Sequence, residues 1–314
     1  MKRTILITLA LLFVRMTTLY GQTNPDKANA VVVTGARFAY PLVQKWIDEY
    51  ASINPAAKIV IEPRGTTDPS QYDILIDAWE HDEGTKQNRE YLYVARYPIL
   101  TVANRSSDFA RRYGEKGLTH GLIKQLFFHD IFADTEDQKA IKEPFSVYTR
   151  MQKAGSPATF AAHFGYDQKE IKGDAIAGSD EHLLQAVLRD STGVTYLPMT
   201  TAYDLTAKKP VHGIVILAYD LNGNGRVNGE EKFYESLDIA IQRLESLPPK
   251  EARNMPMEYL HLSVSRDGVK PEAFEFLQWI IQNGRNYLHD FGFLQPEPHR
   301  FETKTFNHLV LKDR

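Results

Sequence analysis

The chain has 314 residues and a formal net charge of -3, with 43% hydrophobic and 25% charged residues. This charge balance provides no basic surface for nucleic acid. The absence of cysteine excludes disulfides, zinc-thiolate sites and a lipid-modified N-terminal cysteine. A chain of this length can bury a sizeable core without disulfides, and its length favours two domains.

The first residues have the charge order of an export signal. Lys2 and Arg3 form a basic start, and an apolar run follows at residues 5–14. That run is too short to span a bilayer and has the length of a signal-peptide core. We expect residues 1–21 to be a signal peptide, the mature chain to begin near Gln22, and the protein to be periplasmic or secreted. A short buried helix is the alternative.

Strands and helices alternate along the first third of the chain. The β-branched run at 31–33 predicts a strand, and Gly35 then turns the chain. Further strands are predicted at 58–63, from Tyr72, and, as one or two strands, over 91–107. Residues at helical spacing predict a helix after the first turn. They are Leu42, Val43, Trp46, Ile47 and Tyr50.

The same alternation continues to the end of the chain. Strands are predicted at 143–150, 193–197 and 212–220. Helices are predicted from Asp108, at 156–165, 231–247 and 271–294, and after Ser179, which is typical of an N-cap. Alternating strands and helices predict an α/β protein with a mainly parallel or mixed sheet.

The segment 220–231, DLNGNGRVNGEE, matches the calcium-loop pattern D-x-[DN]-x-[DN]-G-x(5)-E. Its ligand positions offer the oxygen atoms that calcium prefers. They are Asp220, Asn222, Asn224, the backbone carbonyl of Arg226, Asn228 and Glu231, with Gly225 at the sharp turn. Only two of these side chains are charged, which predicts weak affinity suited to calcium-rich extracellular fluid.

The surroundings of this loop differ from those of an EF-hand. An EF-hand loop lies between two helices, whereas the apolar run at 214–217 is typical of a strand. A single loop between a strand and a helix predicts a structural Ca²⁺ site and no switch. The alternative is a metal-free turn, because Asn and Gly are common turn residues.

Four segments occur in the order and spacing of a known family. They are TGARFAYPLVQKWIDEY, VYTRMQKAGSPATF, GSDEHLLQAVLRDSTGVTYL and AFEFLQWIIQNGRNYLHDFGFLQP. Together they resemble the phosphate-binding proteins of bacterial phosphate ABC transporters, and the calcium-like loop resembles a segment of one branch of that family. The resemblance covers about residues 30–296.

This resemblance implies a two-lobed α/β periplasmic binding protein of type II with a hinged cleft between the lobes. It places lobe one at 28–104 and 206–314, and lobe two at 105–205. The implied partners are a small oxyanion and an ABC transporter permease. The protein itself is not expected to be embedded in the membrane. The ligand is expected at helix N-termini, where free N–H groups and the helix dipole favour an anion.

The ligand contacts follow from the resemblance residue by residue. They are Gly35, Ala36, Arg37, Phe38, Asp73, Arg150, Ala154, Gly155 and Ser156. Arg150 matches the family's cleft arginine, and Asp73 matches the aspartate that accepts from a protonated phosphate oxygen. Arg37 stands where the family usually has a small or hydroxyl residue. Ala154, Gly155 and Ser156 match the family's usual Ser-Gly-Thr, so the first hydroxyl is missing and the second is kept.

Each assignment has an alternative that the residues leave open. Arg37 and Arg150 could be surface arginines paired with carboxylates, Asp73 could end a turn, and Ser156 could be an N-cap. No H-E-x-x-H, G-x-S-x-G or P-loop pattern is present, so an enzyme is not expected. A calcium-stabilised interaction or sensory module that lost anion binding is the competing hypothesis, favoured by Ala154 and the short segment 65–72.

Overall fold

The computed structural model describes residues 30–63, 69–79, 84, 88–128 and 141–297. The predicted signal peptide and residues 65–68 of the short segment lie outside these ranges. Within the ranges, no helix has the combination of length and apolar character that crossing a membrane requires.

Strands and helices alternate through the described ranges. The strands are β1 Val31–Gly35, β2 Ile59–Ile61, β3 Ile74–Asp77, β4 Arg89–Asn104, β5 Ser146–Arg150, β6 Asp174–Ile176, β7 Gly193–Pro198, β8 Tyr203–Asp204, β9 Lys209–Pro210, β10 Ile214–Ile216 and β11 Met257–Ser265. The α-helices are α1 Tyr40–Ile53, α2 Asp108–Lys116, α3 His120–Phe127, α4 Gly155–His163, α5 Asp180–Arg189, α6 Met199–Ala202, α7 Leu237–Glu245, α8 Pro249–Ala252 and α9 Pro271–Asn283.

One mixed sheet holds most of these strands, in the order β2-β1-β3-β11-β4-β7-β5-β6, with β10 also paired to β4. Strand β1 is parallel to β2 and β3, and β5 is parallel to β6 and β7. Strand β11 is antiparallel to both β3 and β4. Parallel and antiparallel pairs therefore share one sheet, which confirms the predicted α/β class.

The long strand β4 joins the two halves of this sheet. Its first part, Arg89 to Pro98, pairs with β11, and its second part, Ile99 to Asn104, pairs with β7 and β10. The predicted lobe boundaries stay a prediction. The amide of Asp220, in predicted lobe one, nevertheless donates to Leu118 O over 3.0 Å, and Leu118 lies in predicted lobe two.

The core face of α1 is the face that the sequence predicts. All five of its apolar residues named above are buried, and Trp46 is fully enclosed. The Trp46 indole donates to Gly284 O over 3.0 Å, which satisfies its polar atom inside the core. This helix packs against α9 and the segment after it.

Two elements next to the calcium-like loop are shorter than predicted. Strand β10 covers Ile214–Ile216 of the predicted 212–220, and α7 covers Leu237–Glu245 of the predicted 231–247. Helix α7 begins after Ser236, whose hydroxyl accepts from the Ile239 N–H over 3.4 Å. The preceding Phe233 and Tyr234 are buried outside any helix, so burial outweighs helical periodicity there.

Candidate functional site

A cavity of about 320 Å³ lies at the carboxyl ends of β1, β3 and β5. Ligands bind at this edge in open α/β sheets, because the helices that follow the strands begin there. The lining residues form four short groups, at 35–38, at 76, 77 and 79, at 150 and 152–156, and at 178–180. The cavity therefore brings together the predicted ligand residues other than Asp73. Their contact with a ligand stays a prediction.

The first turn of the cavity requires a glycine. Gly35 has a φ of +139°, and a Cβ atom there would lie 2.1 Å from the carbonyl oxygen of Ile76. This close approach lets the Ala36 amide donate to the same oxygen over 2.9 Å. The amides of Arg37 and Phe38 then begin a 3₁₀ turn, and neither has a hydrogen-bond partner among the described residues.

The two side chains of this turn differ in their surroundings. The Phe38 ring is buried, and its centroid lies 4.8 Å from that of the Tyr97 ring. This contact packs the turn against the core. The Arg37 side chain is exposed, and within the described ranges it has no hydrogen bond or ion pair. Arg37 is therefore not a surface arginine neutralised by a described carboxylate.

A second helix N-terminus faces the cavity at the start of α4. Ala154 is its N-cap and provides no side-chain cap, while Pro157 carries no N–H. The amides of Gly155 and Ser156 have no hydrogen-bond partner in the described part of the chain. Gly155 is also packed against the end of β3, since a Cβ atom there would lie 2.6 Å from Ala78 O.

The charged centre of the cavity is a buried group of three side chains. Arg150 Nη1 lies 3.2 Å from Asp180 Oδ1, and the Ser156 hydroxyl donates to the same oxygen over 2.6 Å. Only 9% of the Arg150 side chain and 5% of the Asp180 side chain are exposed. Burial raises the pKa of Asp180, although the Arg150 charge and the Ser156 hydrogen bond oppose that rise.

One donor in this group remains unsatisfied. The Nε atom of Arg150 is buried and has no hydrogen-bond partner within the described residues. Arg150 lies at the end of β5 and lines the cavity, and its Nη1 atom contacts Asp180. The Nε atom is a second donor of the same guanidinium. A buried donor without a partner costs about 1–3 kcal/mol, which a ligand oxygen would relieve.

The structure places one predicted ligand residue, Asp73, outside the cavity lining, and it does not support the N-cap alternative for Ser156. Asp73 precedes β3, so it lies at the opposite end of that strand from the cavity, and it accepts from Val32 N over 2.8 Å and from Lys270 Nζ over 3.0 Å. Asp77, at the carboxyl end of β3, lines the cavity instead. Ser156 is not an N-cap, because the helix already begins at Gly155 and its hydroxyl donates to Asp180.

The lining residues that the sequence did not predict as ligand contacts include Asp77, Trp79, Lys153 and Asp180. Asp180 is expected only as a favourable charge in the first turn of α5, and its contact with Arg150 spans 30 positions along the chain. No local pattern predicts such a contact. Asp77 is the last residue of β3, directly after three apolar residues. A carboxylate at the carboxyl end of a strand is the local feature that could have indicated a cavity residue.

The calcium-like loop forms a second candidate site. Glu231 is buried, and its carboxylate accepts from the amides of Leu221, Asn222 and Asn228 over 2.8–3.0 Å. Asp220 is also buried and accepts from the Gly225 amide over 2.8 Å. Neither carboxylate forms a salt bridge in the described ranges. Two buried carboxylates in one loop, neither paired with a cationic side chain of the described ranges, fit a bound cation.

Comparisons with known proteins give matches in structure alone. No family model matches the chain, and no curated protein matches it in sequence. A Clostridium perfringens protein assigned as a phosphate ABC transporter substrate-binding protein, solved with bound phosphate, has 12% identity and a TM-score of 0.62. The match covers 86% of this chain and 100% of that one.

Two further structures extend the comparison. An ABC-type phosphate transport receptor from Vibrio cholerae has 12% identity and a TM-score of 0.56, covering 85% of this chain and 100% of its own. The CcmR regulatory domain from Synechocystis, in complex with 2-PG, has 13% identity and a TM-score of 0.52, covering 82% and 98%. These likenesses confirm the predicted fold: the chain has the two-lobed α/β fold of type II periplasmic binding proteins, which regulatory domains also share.

Proposed function

We propose that the protein is a periplasmic solute-binding protein that binds a small oxyanion, phosphate or a relative, and delivers it to an ABC transporter. The observation that carries this proposal is the buried, unpartnered Nε of Arg150 in a cavity that two helix N-termini line. The structures of similar fold described above include two transporter-related binding proteins and a regulatory domain, which supports binding rather than catalysis.

The arrangement of donors supports an anion. The amides of Arg37 and Phe38 begin one helical segment, and those of Gly155 and Ser156 begin the other. Free N–H groups at helix N-termini carry partial positive charge and bind oxyanions. Arg150 adds a full positive charge and a planar set of donors that suits an oxyanion. These groups come from both predicted lobes, so a bound anion would hold the lobes together.

One observation favours the competing proposal of an interaction or sensory module without a ligand. Asp180 already accepts from Arg150 Nη1 and from the Ser156 hydroxyl, so a carboxylate of the protein uses two donors that an anion needs. In this second proposal the Arg150–Asp180 pair, whose members both lie in predicted lobe two, permanently occupies donors that an anion would need. The orphan Nε of Arg150 is the reason for preferring the first proposal.

Calorimetric titration of the mature chain separates the two proposals. Phosphate, sulfate, molybdate and small carboxylates are titrated into the wild type, Arg150→Ala and Arg111→Ala. Arg111 is an exposed arginine of α2 paired with Asp108 and serves as the matched control. We expect Arg150→Ala to weaken binding at least about a hundredfold, or about 2.7 kcal/mol, and Arg111→Ala to leave it unchanged. A wild type that binds no anion contradicts the transport proposal and supports the module.

We also propose that segment 220–231 holds a structural Ca²⁺. Asp220, Asn222, Asn224, Asn228 and Glu231 would provide side-chain oxygens, and Arg226 its backbone carbonyl. The burial of both carboxylates without a salt bridge in the described ranges supports this ion. Its function would be to stabilise the fold between β10 and α7.

A further inference from the structure

We propose that the natural ligand is a phosphate monoester, whose phosphate lies at Arg150 and whose carbon portion packs on Trp79. This inference rests on the proposed oxyanion site and specifies its ligand class. Three observations carry it: the size of the cavity, the position of Trp79, and the one-sided distribution of donors.

The cavity is larger than an inorganic oxyanion requires. Its volume of about 320 Å³ falls in the range of about 300–1,000 Å³ that pockets for organic ligands have. A liquid water occupies about 30 Å³, so this volume equals roughly ten waters. An ion with a single shell of oxygens would leave most of that volume to solvent, whereas an organic phosphate would fill it.

Trp79 lies where the carbon portion would emerge from the oxyanion site. It lines both the first cavity and a neighbouring cavity of about 770 Å³, and Arg150 and Lys153 also line both. Lys153 Nζ lies 5.9 Å from the centre of the Trp79 ring, which places a positive charge beside the aromatic surface. The second cavity continues along α4 past the apolar side chains of Ala158 and Ala162.

The donors surround only part of the oxyanion. Arg150 Nε and the free amides of the two helical segments provide them, and Ala154 has a methyl group and therefore adds no hydroxyl donor. Asp180 adds a negative charge on the same side as Ser156. A monoester suits this asymmetry, because its terminal oxygens can face the donors while its ester oxygen, which needs no charged partner, leads toward Trp79.

The test compares inorganic phosphate, methyl phosphate, phenyl phosphate and benzoate by calorimetry on the full mature chain. We expect phenyl phosphate to bind at least about tenfold more tightly than inorganic phosphate, and benzoate to bind more weakly than both. Trp79→Ala should remove the phenyl phosphate advantage, so that phenyl phosphate and inorganic phosphate bind this variant within about twofold of each other. Trp79→Phe should keep part of the advantage. Trp279 is not a lining residue of either cavity, so Trp279→Phe should keep all of it.

Each other outcome has a defined meaning. Equal or tighter binding of inorganic phosphate contradicts the monoester proposal and leaves the oxyanion site standing. An equal loss for phosphate and phenyl phosphate in Trp79→Ala also contradicts it, since the ring would then support the whole site. Tight binding of benzoate identifies a carboxylate ligand and likewise overturns the proposal. Failure of every anion to bind overturns both this inference and the proposed function.

Discussion

Ser156 and Asp180 share a hydrogen bond of 2.6 Å inside the cleft, from the hydroxyl of α4 to the carboxylate in the first turn of α5. The same Oδ1 atom of Asp180 lies 3.2 Å from Arg150 Nη1. A ligand oxyanion therefore meets a negative charge that already occupies two of its potential donors. Asp180 acts as an internal competitor for the oxyanion, and its charge should determine how tightly the cleft binds one.

We expect Asp180→Asn to strengthen sulfate binding at least about tenfold. Asparagine keeps the size and one accepting oxygen but removes the negative charge. Two unit charges about 5 Å apart repel by about 3 kcal/mol at an effective dielectric constant of 20, and tenfold tighter binding requires only about 1.4 kcal/mol. Calorimetry measures the effect, with Glu181→Gln on the exposed side of the same turn as the control. Weaker sulfate binding in Asp180→Asn would contradict this prediction and would mean that the carboxylate instead holds Arg150 and Ser156 in position for the anion.

The pH dependence of the wild type should agree with this substitution. Because burial raises the pKa of Asp180, its carboxylate takes up a proton above the ordinary value of 3.8. Sulfate remains ionised throughout, so its affinity for the wild type should rise as the pH falls through the raised pKa, and Asp180→Asn should not show this rise. The folded state holds this proton more tightly than the unfolded state, so the contribution of Asp180 to the free energy of unfolding decreases as the pH rises from 3.8 to the raised value.

Gly155→Ala should destabilise the cleft and weaken anion binding. The added Cβ would lie 2.5 Å from the Ala78 Cβ and 2.6 Å from its carbonyl oxygen, so α4 must move away from β3. Such overpacking typically costs about 1–3 kcal/mol, and the displaced helix carries the Gly155 and Ser156 amides with it. Urea unfolding and calorimetry measure the two effects.

Gly121→Ala in α3 is the matched control. Nothing lies within 4 Å of a Cβ atom at Gly121, which is exposed near the start of its helix. Alanine there should raise the free energy of unfolding by about 0.5–1 kcal/mol without changing anion affinity. Unchanged affinity in Gly155→Ala would show that the amides of α4 do not contact the ligand.

The sequence predicts the elements of this fold better than it predicts the cleft. The core face of α1, the N-cap at Ser179 and most strands follow from local periodicity and turn chemistry, which act over a few residues. Helix α7 is overpredicted because Phe233 and Tyr234 are buried through tertiary packing. Periodicity alone cannot distinguish that burial from a helical face.

The charged groups of the cleft show the limit of a residue-by-residue resemblance. Arg150, Gly155 and Ser156 lie in one continuous segment, so their joint placement in the cavity could be predicted. The resemblance points to Asp73, whereas Asp77, at the carboxyl end of β3, is the aspartate of this segment that lines the cavity. Asp180 reaches Arg150 only through the packing of α5 on the sheet, which no spacing in the sequence specifies.

His163 should make the protein less stable in mild acid. Burial, with a smaller contribution from the nearby His120, lowers the pKa of His163 to about 4. An unfolded histidine has a pKa of about 6.5. Between pH 6.5 and 4 the unfolded state therefore binds more protons at this residue than the folded state does, so the free energy of unfolding should fall as the pH drops through this range. Urea unfolding at several pH values in this range should show that the free energy of unfolding of His163→Gln depends less steeply on pH than that of the wild type. The exposed His212→Gln is the control, and an unchanged slope in His163→Gln would contradict the assignment.

Calcium should raise the melting temperature of the wild type and not that of the Asp220→Asn, Glu231→Gln double variant. Both substitutions keep an accepting oxygen for the amides of the loop and remove the charges that would bind the ion. A ligand that binds only the folded state at a hundredfold excess over Kd stabilises it by about 2.7 kcal/mol. Differential scanning calorimetry with Ca²⁺, with Mg²⁺ and with EDTA measures the response, and Asn222→Asp should lower the Ca²⁺ concentration required.

The comparison in EDTA distinguishes a metal site from a turn. Asp220 and Glu231 are both buried and form no salt bridge in the described ranges, so without an ion only backbone amides offset their charges. The neutral double variant should therefore be at least as stable as the wild type in EDTA and less stable than it in Ca²⁺. This reversal of order requires a cation, because amide hydrogen bonds alone would give the same order in both solutions. A wild-type melt that EDTA leaves unchanged would assign the loop as a metal-free turn.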